Sequence, residues 1–261
     1  MARAPTFHGR ITAALSCKIA VVNFCAPFST TFSPGSVSPR SSDASTPFVA
    51  VSPEGSYRAD GDGLQLYLQR PPGRVTTAGG VNDKVADGAT INSTFVMLHG
   101  KVTYEMSAPR VAGVVTAAIL IADQHDEIDV ELVAGDPSHW QTNVYAPSPA
   151  DKEPLWGVFG DVEDFPNKQA SITATHKYTI DWTSERIIWS VDGHAVRTLT
   201  PDQTQKNGAW HYPSHPARIQ LGIWDASSPQ GTAEWAKGPI DWQRAPEEMV
   251  AVVHSVVVEC P

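Results

Sequence analysis

In the stretch Asp126-Glu127-Ile128-Asp129-Val130-Glu131-Leu132-Val133, acidic and aliphatic residues alternate strictly from Glu127 to Leu132. A period of two is the period of a β-strand, whose successive side chains point to opposite faces. Glu127, Asp129 and Glu131 therefore share one face. Ile128, Val130 and Leu132 share the other and can anchor the strand in a core. Three carboxylates on one face repel each other. The repulsion costs stability and raises the pKa of at least one member, which suits a catalytic acid. Two carboxyl groups flanking a sugar-ring bond are the usual equipment of glycoside hydrolysis. Spacing sets a condition on that reading. Residues four apart on a strand have Cα atoms roughly 13 Å apart, whereas a retaining glycosidase holds its carboxyl groups about 5–5.5 Å apart. Long glutamate side chains leaning together on a concave, twisted sheet would close much of the gap. Taken alone, the triplet more often marks a half-exposed strand whose solvent side is acidic.

Outward from this strand, short strand-like runs alternate with turn signals. Residues 63–68, 100–106 and 114–120 are such runs. Residues 177–182 and 186–191 flank Thr183-Ser184-Glu185 as a hairpin, and Asp192-Gly193 turns the chain into a run at 195–199. The last strand is expected at 249–258. With 21 Pro and 19 Gly and no long amphipathic helix, the pattern predicts an all-β protein, a sandwich or jelly roll.

Further blocks follow in order. His125 to Leu132 leads to Gly135-Asp136 and Trp140-Gln141-Thr142-Asn143-Val144-Tyr145. Then come Tyr178 to Thr183, Ile188 to Gly193, Val196 to Leu199, Tyr212-Pro213, Arg218 to Trp224, and Gly231 to Ala236. This succession resembles glycoside hydrolase family 16, and within it the fungal Crh-type cell-wall transglycosylases, from about Phe48 to Cys260. The chain departs from the Crh pattern at Val130 and near Leu132, where bulky or aromatic residues are usual. It departs again at Asp225-Ala226 and Lys237-Gly238, where that pattern has glycine pairs. These departures bear on substrate choice more than on chemistry.

The resemblance implies two bent antiparallel sheets forming a β-sandwich jelly roll, with a glycan cleft across the concave sheet. It implies Glu127 as nucleophile, Glu131 as acid/base, and Asp129 between them tuning the nucleophile. Gln141 and Asn143 match positions that contact glucose units, and Trp224 and Trp235 match aromatic positions lining the cleft. Tyr145 and Trp140 are weaker binding candidates. Trp182 and Trp189 read as core residues of the hairpin, since large aromatics dominate cores as well as binding sites. Arg218 fits a sugar contact or a structural ion pair. His125 has no second histidine at ligand spacing, so it reads as a strand-edge residue. No metal site and no cofactor are expected.

Composition narrows the classes. The chain has 261 residues, enough for one large β domain. A formal net charge of -9 argues against tracking nucleic-acid phosphates and suits a neutral polysaccharide or oligosaccharide partner. No apolar run is long enough for a membrane span, and a monomer is expected. Residues 1–26 resemble a secretory signal interrupted by Lys18, pointing to a secreted or cell-wall location. Residues 27–47, rich in Ser, Thr and Pro, read as a flexible linker before a catalytic domain at 48–261. Cleavage of a signal before Cys25 would leave Cys25 and Cys260 able to pair, and cleavage after it would leave Cys260 alone. Crh-type proteins often carry an early cysteine pair, which Cys17 and Cys25 match loosely. Asn92-Ser93-Thr94 is a glycosylation sequon. The chain stops at Pro261 without a hydrophobic tail, so no lipid-anchor signal is read there.

The sequence thus predicts a secreted retaining β-glycan hydrolase or transglycosylase acting on fungal cell-wall β-glucan or chitin-type chains. The alternatives are an endo-β-1,3(1,4)-glucanase and a non-catalytic glycan-binding relative. Intact Glu127, Asp129 and Glu131 argue against the last, because binding alone gives no reason to keep a repulsive triplet.

Overall fold

The computed structural model describes residues 24–39 and 45–261. Sixteen strands form two large sheets. In chain order they are β1 (Phe28–Thr30), β2 (Val37–Pro39), β3 (Phe48–Ala50), β4 (Tyr57–Ala59), β5 (Leu64–Gln69), β6 (Thr90–Ser93), β7 (Gly100–Ser107) and β8 (Val114–Ala122). They continue with β9 (Glu127–Val133), β10 (His139–Tyr145), β11 (Asp161–Asp164), β12 (His176–Trp182), β13 (Ile187–Val191), β14 (His194–Leu199), β15 (Ala217–Asp225) and β16 (Glu248–Glu259). The front sheet runs β11-β10-β9-β8-β15-β6-β3-β2. The back sheet runs β14-β13-β12-β7-β16-β5-β4, with β1 added beside β16. The α-helix, α1 (Gln230–Trp235), follows β15. This is the expected all-β sandwich, and every strand singled out from the sequence is present.

The period-two patterns decide which side of each strand is buried. Strand β7 alternates buried and half-buried residues along its length, and β10 does the same in the opposite phase. Inward residues of both sheets meet in one large core that includes Val102, Tyr104, Ile128, Val130, Trp140, Tyr178, Trp182 and Trp189. Such packing fixes the register, because a one-residue slip would turn every apolar side chain outward.

Two boundary expectations are corrected. The part of 27–47 that the structure describes is not a linker. Strand β1 pairs with β16, and β2 pairs in parallel with β3. Phe28 and Phe32 hold this segment by packing on Phe48, with ring centroids 6.0 and 5.3 Å away. Two aromatic anchors thus outweigh a Ser/Thr/Pro-rich composition that looks unable to order itself. A signal boundary after residue 26 would also cut into the domain, because Cys25 is disulfide-bonded to Cys260. Residues 1–23, with Cys17 and most of the signal-like segment, lie outside the described residues.

Candidate active site

Strand β9 lies in the front sheet between β8 and β10. Its outer face carries Glu127, Asp129 and Glu131 into an open groove of about 960 Å³. The inner face carries Ile128, Val130 and Leu132, all buried in the core. Strand β10 pairs with β9 so that Tyr145 stands opposite Glu127, Asn143 opposite Asp129, and Gln141 opposite Glu131. The period-two reading thus extends to the neighbouring strand, and three predicted sugar-contacting residues fall beside the three carboxylates. On the other side, Ala117 of β8 stands beside Glu131, and Gly222 of β15 stands beside Ala117. Both line the groove. Small side chains here leave the groove floor low beside Glu131.

Burial and crowding alter the acidity of the row. Asp129 is 5 % exposed. Burial first, then the charges of Glu127 and Glu131, hold its carboxyl well above the usual aspartate range, opposed by a hydrogen bond from Asn143. Burial and then Glu127 push Glu131 up to about 7. Burial also raises Glu127, but less simply, because the exposed His125 pulls it back down. All three carboxyls are thus pushed upward, Asp129 and Glu131 furthest, which favours a proton on these two over Glu127. Asp129 Oδ1 and Asn143 Oδ1 are both buried without a hydrogen-bond partner, on the floor of the groove.

The row is held from several directions. Trp189 Nε1 donates to the Asp129 carbonyl at 3.0 Å. Asp126, at the entry to β9, is buried and accepts the backbone N–H groups of Ser214 and His215 at 2.7 and 3.1 Å, and His215 Nδ1 at 2.8 Å. The alternation pattern gave no hint of this role, because Asp126 stands outside the triplet's face.

Trp224 and Trp235 stack, with ring centroids 5.9 Å apart and planes 16° apart. They rest on a small separate cluster of Val115, Val133, Ala226 and Ala236. Both line the groove, and Trp235 Nε1 donates to Gln141 Oε1 at 2.8 Å. The other tryptophans sort differently. Trp182 and Trp189 are core residues as expected, but Trp140 is fully buried and is removed from the binding candidates. Its place on β10 points it inward, between the outward Gln141 and His139. Arg218 is ion-paired with Asp123. His125 sits exposed in the turn before β9 with φ 71°. Asn92 lies on β6 inside the front sheet, and its Oδ1 accepts Gln220 Nε2 at 2.8 Å. Asp225 accepts the N–H groups of Ala86 and Ser227, both at 2.9 Å. That gives the departure from a glycine pair a structural use.

Comparison with known proteins places this arrangement. The family model for glycosyl hydrolases family 16 matches residues 48–244. The chain belongs to glycoside hydrolase family 16. Among curated members, Crh-like protein 2 of Aspergillus fumigatus is 37% identical over 186 residues, covering 66% of this chain and 40% of that protein. The probable glycosidase CRR1 of Eremothecium gossypii is 35% identical over 176 residues, covering 63% of this chain and 36% of that protein. The chain thus spans about two fifths of the length of the curated relatives it matches. Among solved structures, the Crh5 transglycosylase in complex with NAG superposes with a TM-score of 0.68 at 27% identity, covering 90% of this chain and 88% of that one. A Bacillus licheniformis β-glucanase, at 17% identity and a TM-score of 0.63, shares the family 16 fold. Among the described residues, no cluster of His, Cys, Asp and Glu is arranged to hold a metal ion, and no helix is long and apolar enough to cross a membrane.

Proposed function

We propose that this family 16 domain cleaves β-linked cell-wall glycans with retention and passes the glycosyl unit to a second glycan. One observation carries the reading: three carboxyl groups of divergent acidity project from one strand into a groove, beside the Gln141 and Asn143 amides, with a stacked tryptophan pair hydrogen-bonded to Gln141 in the same groove. Glu127, ionised, attacks the anomeric carbon and forms a glycosyl ester. Glu131 gives its proton to the departing glycosidic oxygen as that bond breaks. An acceptor hydroxyl then loses its proton to Glu131 and attacks the same carbon, and the Glu127 carboxylate leaves. Asp129, between them, holds a proton and steadies the charge on Glu127. Gln141 and Asn143 orient sugar hydroxyls, and Trp224 and Trp235 offer an apolar plate.

Capture of the intermediate by a sugar is supported by the Crh-like relatives and by the Crh5 transglycosylase, whose complex with NAG also points to N-acetylglucosamine-containing chains. A sugar held by aromatic plates gains effective concentration over water. The Cys25–Cys260 disulfide supports a secreted or cell-wall location, because such bonds persist in oxidising compartments.

The test offers β-glucan and chitin-oligomer donors together with a labelled oligosaccharide acceptor, and follows products by mass spectrometry. Hybrid products carrying the label and a retained anomeric configuration are expected. Hydrolysis alone at high acceptor concentration would instead favour an endo-glucanase, and inversion at the anomeric carbon would reject both readings.

A further inference from the structure

Residues 146–160 connect β10 to β11 without helix or strand, and a long loop of this kind in a compact domain is usually functional. The loop carries Trp156, which at 74% exposure is the most exposed large apolar side chain among the described residues. An indole left in water forgoes a large favourable burial. Trp156 nevertheless lines the groove, as do Gly157, Gly160 and Val162. Its ring lies 6.5 Å from that of Tyr145, with the planes 47° apart, and Tyr145 stands opposite Glu127.

The loop that presents this ring is tied down. Asp151 accepts the buried His211 Nε2 at 3.0 Å and Asn207 Nδ2 at 2.9 Å. His211 Nδ1 donates to the Thr204 carbonyl at 3.1 Å. Phe159 packs on the His211 ring at 5.6 Å, and Arg197 donates to the Phe159 carbonyl at 2.5 Å. An exposed aromatic on a clamped loop is preorganised, so a ligand meeting it pays little ordering cost.

We infer that Trp156, with Tyr145, forms a second sugar-stacking platform on the β10–β11 arm of the groove, separate from the Trp224–Trp235 plate and occupied only by glycans long enough to reach past the carboxylate row. Sugar rings present apolar faces that suit such a plate. Neighbouring strands lie about 4.8 Å apart, close to the advance of one residue in an extended β-glycan. A chain crossing the sheet from β9 toward β11 would therefore bring successive rings over Tyr145 and Trp156. The platform makes substrate length, more than the chemistry at the anomeric carbon, the property that Trp156 reads.

This inference rests on the proposed glycan chemistry, and its test separates the two. Wild type, W156A and W156F are compared on labelled donor oligosaccharides of increasing length, with thermal unfolding as the control. Because the indole is exposed, W156A should melt within a degree or two of wild type. In wild type, kcat/KM should climb with length. In W156A the gain from the longer donors should shrink about 5- to 150-fold, a range taken from aromatic stacking on other flat rings. W156F should recover much of it. A W156A length profile superimposable on that of wild type would overturn the platform while leaving the catalytic reading intact. So would a concentration-dependent dimer that W156A abolishes without changing that profile. A wild type that neither binds nor turns over any glycan would remove the catalytic reading itself.

Discussion

The indole Nε1 of Trp189, in the back sheet, donates a 3.0 Å hydrogen bond to the backbone carbonyl of Asp129, in the front sheet. One core residue thereby ties the middle of the carboxylate row to the opposite layer of the sandwich. On its other side, Trp189 carries the Arg197 guanidinium 4.8 Å from its ring centroid. Arg197 also donates to Thr142 Oγ1 at 2.6 Å, so the strand beside the row is held by the same group.

Trp189→Phe keeps most of the ring and removes the donor, leaving a buried carbonyl short of one partner. It should cost about 1–3 kcal/mol of stability, read by denaturant unfolding. If the bond also positions the row, kcat should fall more than KM rises. A variant as stable as wild type would show that the bond contributes nothing net.

Glu127→Gln and Glu131→Gln should each lower turnover at least about a hundredfold, the lower range for loss of a positioned acid or base, with the fold intact by circular dichroism. Asp129→Asn should keep measurable activity, because it replaces the protonated carboxyl that steadies Glu127 by a neutral amide and removes neither the attacking nor the proton-donating group. Near wild-type turnover in either Glu variant would reassign the roles.

Acidity gives a separate prediction. In the proposed mechanism the first step needs Glu131 protonated, so kcat/KM should fall on the alkaline side with a midpoint near 7. The sign for stability runs opposite to that of a salt-bridged carboxylate. The folded-state pKa of Glu131 lies above its ordinary value of 4.5. The fold therefore bears no penalty at low pH and a growing one as pH rises from about 4.5 to 7. Glu131→Gln should then stabilise the protein at pH 8, on the order of 2 kcal/mol after allowing for water in the open groove, and leave it unchanged near pH 4. Melting curves at the two pH values test this, and equal shifts at both would contradict it.

Lys237 has φ 57°, a left-handed conformation just past the end of α1, and its N–H bonds to the Glu234 carbonyl at 3.1 Å. This is the position where glycine ordinarily ends a helix. The lysine stem lies directly against Gly135, but Lys237→Gly should relieve the larger backbone cost and stabilise the domain by about 1 kcal/mol. Chemical denaturation would detect the gain, and a net loss would show that the stem packs usefully over Gly135.

The carboxylate-bearing strand was legible in the sequence because its information is local. Alternation from Glu127 to Leu132 set both faces, and the same period carried Gln141, Asn143 and Tyr145 onto the groove side of β10. By that rule Trp140 had to point inward, so its candidacy was avoidable. Other features depend on contacts remote in sequence. The stacking of Trp224 on Trp235 requires α1 to fold back over β9, and the bond to Gln141 spans 94 positions. The place of Trp156 depends on a loop clamped by His211, 60 positions from Asp151. The Cys25–Cys260 bond spans 235 positions and joins a segment whose composition suggested no fold at all. Period and spacing reveal what a strand does to its own side chains. They are silent on which distant surface will close over them.

The carboxylate row has a consequence for the molecule as a whole. Glu127, Asp129 and Glu131 all hold protons more tightly when folded than in their ordinary state. Near neutral pH the chain must therefore draw protons from solvent as it folds, and release them as it unfolds. The measured heat of unfolding should then vary with the ionisation enthalpy of the buffer, by an amount that removing Glu131 would reduce. In this domain the groove acts as a small proton reservoir, filled by the act of folding itself.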